Sequence, residues 1–232
     1  LSSRSYRIKN RLFLCIGSLF LGAGLVTVLA VNLAMRQQAL AEAQAKAKII
    51  LDHYLAIHTY FTHQLKPKLF EWSRDFREDG YFEPAWMSST YAVRQIDDFF
   101  EEITSIDYVY KECAINARSP HNEADRVQRS FLNRLNEDQN LIQSKQVRNI
   151  EGKRSFELLR RGESMQSSCL RCHSTPDKAP HDLVKHYGPK RSFGRNVGDV
   201  LSAFSIRIPL EEAYAYANKM SIMFIAGGLL CF

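Results

Sequence analysis

The stretch Cys169-Leu170-Arg171-Cys172-His173 has two cysteines separated by two residues, with a histidine directly after the second. On one helical turn both sulfurs fall on the same face, from which they can form thioethers to the two vinyl groups along one haem edge. The histidine can then give its imidazole to the iron as the proximal axial ligand. The spacing therefore predicts one covalently attached c-type haem.

Two other interpretations of this stretch stay open at this point. A disulfide or thioredoxin-like redox pair explains Cys169 and Cys172 but not the histidine that follows them. A zinc site could recruit His181 and His186, although the gap from Cys172 to His181 is shorter than in common zinc fingers. The haem interpretation accounts for all three motif residues, and the rest of the chain supports it.

The N-terminal part of the sequence predicts a membrane anchor. Residues 1–11 are basic, and residues 12–35 form an apolar run without a charged residue, about as long as a helix needs to cross a bilayer. A signal peptide is the alternative, but its apolar core would be shorter. The positive-inside rule places the basic flank in the cytoplasm. Residues 36–218 are then expected in the periplasm of a bacterium, held at its inner membrane.

The C-terminal residues predict a second membrane segment. Residues 219–232 are mostly apolar but too few to span a bilayer, so we interpret them as the truncated start of another transmembrane helix. Because the chain also begins with Leu1 rather than methionine, we expect a fragment of a longer protein. Two transmembrane helices around a periplasmic domain are typical of a membrane sensor, and the lipid bilayer is one expected partner.

Periodicity and turn residues predict mixed α and β elements between the two apolar segments. Residues 36–66 are predicted to form one long stalk helix, which favours a homodimer. The other predicted elements are short helices in 67–104, a strand in 105–116, a helix ending near Asn140, extended segments at 146–150 and 155–159, a short helix at 181–187 and a strand at 200–208.

Several ordered stretches between about residues 50 and 210 resemble the Tll0287-like haem domains, also called the DUF3365 family. They are Gln64-Leu65-Lys66-Pro67, Tyr108-Val109-Tyr110-Lys111-Glu112, the run from Asn116 to Asp125, the haem motif with Ser174-Thr175-Pro176, Ala179-Pro180, Tyr187-Gly188, Phe193-Gly194 and Ile208-Pro209. Ala117-Arg118-Ser119 departs from the family pattern, which has more proline and asparagine there.

The resemblance implies an α+β, PAS-like domain, in which an antiparallel sheet with flanking helices holds one covalent haem c. Such domains occur alone and as sensory inputs of membrane kinases, chemoreceptors and cyclases. The resemblance assigns the thioether links to Cys169 and Cys172 and the proximal ligand to His173. The second axial ligand does not carry over, because relatives differ there.

The second axial position decides the mechanism, since a protein ligand favours redox chemistry and an open position lets gas bind. His58 is the leading candidate, because it lies on the apolar stripe of the long helix, where a buried imidazole needs a partner. The alternatives are His63, His53, Cys113, Met87 and Met165. The candidate cations for the haem propionates are Arg94, Arg148 and Arg171.

Composition and motifs narrow the function. The net charge of +6 is spread along the chain without an aromatic-interleaved patch, so no nucleic-acid binding is expected. The sequence contains no phosphate loop and no nucleophile elbow, so it does not predict an enzyme. Any kinase or cyclase activity would belong to a missing C-terminal part. We expect the sensory input of a signal-transduction protein that responds to redox state or to NO, CO or O2. The alternative is an anchored cytochrome that passes electrons to a redox partner.

Overall fold

The computed structural model describes residues 2–150 and 152–230, with side chains for 7–150 and 152–228. Leu1 of the predicted basic N-terminus and Cys231 and Phe232 of the second predicted apolar segment lie outside the described residues. The chain divides into two compact units. One is Gln44–Pro209, and the other combines the chain segments before and after it.

The unit built from the two chain ends is helical. Helix α1 covers Ser2–Tyr60 and helix α8 covers Glu211–Leu230. Asn32 of α1 donates from Nδ2 to the carbonyl oxygen of Ala217 at 3.1 Å and to Ser221 Oγ at 2.9 Å. Polar hydrogen bonds therefore join the two helices.

One helix among the described residues, Arg7–Trp72, is long and apolar enough to cross a membrane. Its most apolar stretch is not buried. A signal sequence would meet the same criteria of length and hydropathy. Helix α8 does not meet them within the described part of the chain, since its first half contains Glu211, Glu212, Asn218 and Lys219. The membrane placement of both segments stays a prediction.

The predicted long helix is present but does not end before Pro67. Helix α1 leads into a π-helical turn at Phe61–Leu65, and helix α2 follows directly at Lys66–Trp72. Pro67 stands in the first turn of α2, directly after the π-helical turn, and the helical backbone continues through it. The prediction of a helix end at this proline is therefore wrong.

The remaining elements match the predicted order with shifted ends. They are α3 (Pro84–Met87), α4 (Ser89–Ile103), β1 (Val109–Ala114), α5 (Arg126–Glu137), β2 (Gln143–Ile150), β3 (Lys153–Arg161), α6 (Leu170–His173), α7 (His181–Tyr187) and β4 (Ser202–Pro209). Helix α5 begins at a capping box, in which Asp125 accepts from the first-turn N–H groups and the side chain of Gln128 returns to the Asp125 N–H.

The four strands form one antiparallel sheet in the order β1-β4-β3-β2. The predicted α+β fold with an antiparallel sheet and flanking helices is thus confirmed. Because side chains alternate along each strand, the sheet has two distinct faces. The face under α5 packs into a buried apolar core that includes Cys113, Phe131, Leu132, Leu135, Leu159 and Ala203.

The opposite face of the sheet is covered by the end of α1. Tyr54 stacks on Tyr110 of β1 with ring centroids 4.3 Å apart, and His58 meets Phe204 of β4 edge-on at 5.4 Å. The hydroxyl of Tyr54 also donates to Asp97 of α4. Both histidine and tyrosine are therefore fixed by packing on a rigid sheet.

A charged cluster ties three strands to the start of α5. The fully buried Glu157 accepts from Arg148 Nη1 at 2.8 Å and from Arg207 Nε at 3.0 Å, and Asp125 accepts from both arginines. Burial alone would raise the pKa of Glu157 and Asp125. The two guanidinium groups outweigh burial at Glu157, and the backbone N–H of Gln128 together with the guanidinium groups outweighs it at Asp125, so both pKa values lie below their usual range.

This cluster predicts acid-sensitive stability. Carboxylates with lowered pKa values contribute stability that is present above their unfolded values of about 4 and is lost as pH falls through the folded values. We expect Glu157→Gln to lower the free energy of unfolding by about 3 kcal/mol at pH 7, because it leaves buried arginine charge without its partner. Urea unfolding followed by circular dichroism below about pH 5 should show a shallower pH slope in the variant than in the wild type.

The control for this prediction is Asp52→Asn. Asp52 forms an exposed ion pair with Lys48 one helical turn away, so its loss should change stability by less than about 1 kcal/mol. Equal pH slopes in the wild type and Glu157→Gln would contradict the assignment of acid sensitivity to the buried cluster.

Candidate functional site

A cavity of about 700 Å³ lies on the sheet face covered by α1 and contains the whole predicted haem motif. Cys169, Cys172 and His173 all line it. Its apolar lining includes Phe70, Phe82, Met87, Leu183 and Tyr187. The volume and the mixture of apolar walls with a few convergent polar groups are typical of cofactor sites.

The two motif cysteines are presented by a short turn that leads into one turn of helix. A 3₁₀ turn at Ser167–Cys169 continues as α6, and both thiols are free and half-buried. Burial raises the pKa of the Cys172 thiol, despite the opposing effect of Arg118. The raised pKa keeps the Cys172 sulfur at the cavity as a neutral thiol.

The imidazole of His173 is held in a defined tautomer. Its Nδ1 lies 2.8 Å from the carbonyl oxygen of Ser192, which can only accept, so Nδ1 carries the proton and donates. Nε2 then keeps its lone pair, as a metal ligand requires. Burial, with the nearby guanidinium of Arg118, lowers the pKa of His173 to about 4, which keeps the ring neutral at physiological pH.

Ser192 and Arg118 fix this part of the cavity wall. Ser192 adopts the left-handed backbone conformation with φ of 63°, which is strained for a residue with a side chain. Arg118 Nη2 donates to the carbonyl oxygen of Cys172 at 2.6 Å and to that of Ser192 at 3.3 Å. The 3.5 Å approach of the same guanidinium to His173 Nδ1 is not a hydrogen bond, since both nitrogens carry hydrogen.

Sequence reasoning missed both Ser192 and Arg118. The only signal was the departure of Ala117-Arg118-Ser119 from the family pattern, which we interpreted as a change of loop shape. In the structure this loop brings a cation against the backbone of the haem motif.

The structure separates the candidates for the second axial ligand. His58, His63, Met87 and Met165 line the cavity that contains His173. His58 is the most enclosed of the histidines there, with 5% of its surface exposed. His53 is exposed and contacts Tyr54 and Phe100, away from the cavity lining.

Cys113 and Arg148 are on the other face of the sheet. Cys113 lies in the core under α5, and its Sγ is 3.2 Å from the carbonyl oxygen of Ala203. Arg148 forms ion pairs with Glu157 and Asp125 in the charged cluster. In this structure neither residue is placed where the predicted ligand or propionate partner would have to be, because strand alternation turns both side chains away.

Two of the three predicted propionate partners do line the cavity. Arg94 and Arg171 are lining residues, and Lys66 adds a further positive charge that the sequence analysis did not single out. Arg171 also lies over the ring of Phe70, 5.4 Å from its centroid. The cavity therefore offers several cations to an anionic group.

The zinc interpretation receives no support from the described residues, among which no group of three or more His, Cys, Asp or Glu side chains could hold a metal ion. His181 and His186 are on α7, and neither is among the cavity-lining residues. The side chain of His181 is 81% exposed.

Three polar atoms of cavity-lining residues have no hydrogen-bond partner within the described part of the chain. They are Thr62 Oγ1, Glu112 Oε2 and Arg118 Nε, and all three are buried. Buried polar atoms are nearly always satisfied, so these atoms indicate that a ligand or water belongs in the cavity.

Comparisons with known proteins agree with this geometry. A family model described as Tll0287-like, Tll0287, matches residues 36–209. A crystal structure of the cyanobacterial haem protein Tll0287 has a similar fold, with a TM-score of 0.52 and 19% identity over 72% of this chain and 95% of that one. No curated protein matches the chain significantly. The family match covers most of the sequence, and the chain therefore belongs to the Tll0287-like family.

Proposed function

We propose that this chain is a membrane-anchored, periplasmic domain that carries one c-type haem and serves as the redox- or gas-sensing input of a signal-transduction protein. The single observation that supports this most is the meeting of Cys169, Cys172, His173 and the buried His58 at one cavity. The matched relative is itself a haem protein, which agrees with this assignment.

The chain's own residues suit a covalently held haem. Cys169 and Cys172 would hold it by thioethers, and His173 would bind the iron through Nε2, because Nδ1 is committed to Ser192. The bound iron would supply a reversible one-electron change or a site for a diatomic gas. Arg94 and Arg171 would neutralise the propionates.

His58 makes redox sensing the favoured form of the proposal. A buried imidazole that lines the same cavity is suited to fill the second axial position, which leaves little room for a gas. Because His58 belongs to α1, a change in its bond to the iron would act directly on the long helix. Anchoring in the bacterial inner membrane, dimerisation through the stalk helix and an output domain beyond this chain remain parts of the proposal.

Electron transfer to a redox partner is the second candidate function. It is favoured by the exposure of Ser167 and Ser168, which line the cavity next to Cys169. A haem edge close to solvent would let electrons pass to a docked protein without any change in the helices. The chain itself is proposed to have no enzymatic activity.

Hydrogen exchange in the oxidised and reduced haem-loaded chain separates the two functions. A redox sensor, the favoured form of the proposal, must change conformation with its redox state, and allosteric coupling typically amounts to a factor of 5 or more. We expect amides of residues 44–57, which precede His58 on α1, to change their exchange rate by about fivefold between the two states. An electron carrier would show matching exchange in both states, and that result would contradict the sensor proposal.

A further inference from the structure

We propose that Glu163 is the positioning residue that selects His58, rather than His63, as the second iron ligand. This inference rests on the proposed haem function and deepens it. Glu163 lies just after β3, outside the haem motif and outside the elements that carry the two histidines.

The geometry places one carboxylate oxygen between two imidazoles. Glu163 Oε1 lies 3.2 Å from His63 Nε2 and 3.6 Å from His58 Nδ1. All three residues line the cavity of the haem motif. The carboxylate therefore faces a different ring nitrogen in each histidine.

That difference has a direct chemical consequence. A carboxylate oxygen accepts, so a neutral ring places its proton on the nitrogen that faces it, through a hydrogen bond of 3.2 Å in His63 and across an ion-pair distance of 3.6 Å in His58. In His58 the facing nitrogen is Nδ1, so a neutral ring that binds a metal would keep its proton there and use the Nε2 lone pair. In His63 the protonated nitrogen is Nε2, and that atom can no longer coordinate. This is the pairing by which outer-shell carboxylates fix the tautomer and orientation of metal-binding histidines.

The two histidines reach one carboxylate because the helix is locally widened between them. In a regular α-helix, residues five positions apart do not share a face. The π-helical turn at Phe61–Leu65 contains His63 and begins shortly after His58, and it closes with a bond from the Lys66 N–H to the Phe61 carbonyl. Such turns frequently mark functional sites.

The backbone around Glu163 is held firmly enough to act as a fixed support. The N–H of Gly162 donates to the carbonyl oxygen of Ser202 at 3.0 Å, and a Cβ at Gly162 would lie only 2.5 Å from that oxygen. On the other side, the N–H of Met165 donates to Asp199 at 2.9 Å. Glycine is therefore required next to Glu163, and the carboxylate projects from an anchored segment.

The test measures how easily an added ligand displaces His58. The ferric, haem-loaded chain is titrated with cyanide and the ferrous form with CO, in the wild type, Glu163→Gln and Glu163→Ala. Losing an outer-shell partner typically weakens a metal–histidine bond by a factor of 10 to 100, so we expect a gain of about tenfold in apparent cyanide and CO affinity for Glu163→Ala. Glu163→Gln should gain less, and its low-spin EPR signal should shift while the iron stays low-spin.

The matched controls are His63→Ala and His58→Ala. His63→Ala should keep the iron low-spin, because His58 remains its ligand, and Glu163→Ala should have no further effect in a His58→Ala background. If His58→Ala raises the affinity but both Glu163 variants behave as wild type, the positioning role is wrong and the proposed haem site stands. Loss of the Glu163 effect in a His63→Ala background would also overturn the role. If His58→Ala itself has no effect, the assigned ligand and this inference both fail.

Discussion

Replacing both Cys169 and Cys172 with serine is expected to abolish covalent haem attachment. A hydroxyl does not form the thioether that a thiol forms with a vinyl group, and the described residues place both sulfurs at the one cavity that contains His173. After denaturing electrophoresis, haem staining of the wild type should follow the polypeptide, and the double variant should fall to background. Each single variant should keep a haem held by one link, with a shifted reduced absorption band.

Cys113→Ser is the matched control for this prediction. Cys113 also carries a free thiol, but it is buried in the core under α5 on the opposite face of the sheet. The variant should therefore keep its covalent haem. Haem staining of the double serine variant, or purified wild type that contains zinc instead of haem, would overturn the assignment of the motif.

Much of the fold was predictable because its signals are local. The strand that carries Cys113 and the strand ending at Pro209 follow from alternation, and the short helix at 181–187 follows from its bounding turn residues. The helix end at Pro67 was predicted wrongly, because a proline in the first turn of a helix looks the same in sequence as one that stops a helix.

The candidate site was predictable only where its residues are adjacent in sequence. Cys169, Cys172 and His173 form one motif, whereas Arg118 and Ser192 reach it through long-range contacts that no periodicity predicts. Among the scattered ligand candidates, sheet alternation and exposure separate Cys113 and His53 from His58. Those are properties of the folded chain, since they depend on which strands pair and which helix covers them.

The structure holds His58, the leading candidate for the second axial ligand, in a fixed position beside the cavity. His58 is 5% exposed, and its ring meets Phe204 edge-on at 5.4 Å, so it is fixed on the sheet beside the cavity. Burial lowers the pKa of His58, but Glu163 and Glu112 outweigh burial, so the pKa is raised overall. Without a metal both carboxylates favour the charged ring, and with one Glu163, which faces Nδ1, would favour a proton there and a free Nε2.

His58→Ala is accordingly expected to convert the iron from low-spin to high-spin in both redox states, because alanine offers no donor in the second axial position. The ferrous variant should then bind CO readily, whereas the wild type should not, and absorption and EPR spectra report both changes. His53→Ala removes an exposed imidazole away from the cavity lining and should leave the spectra unchanged. A His58→Ala variant that stays low-spin would assign the ligand to His63, Met87 or Met165, and a high-spin wild type that binds CO would favour gas sensing over redox sensing.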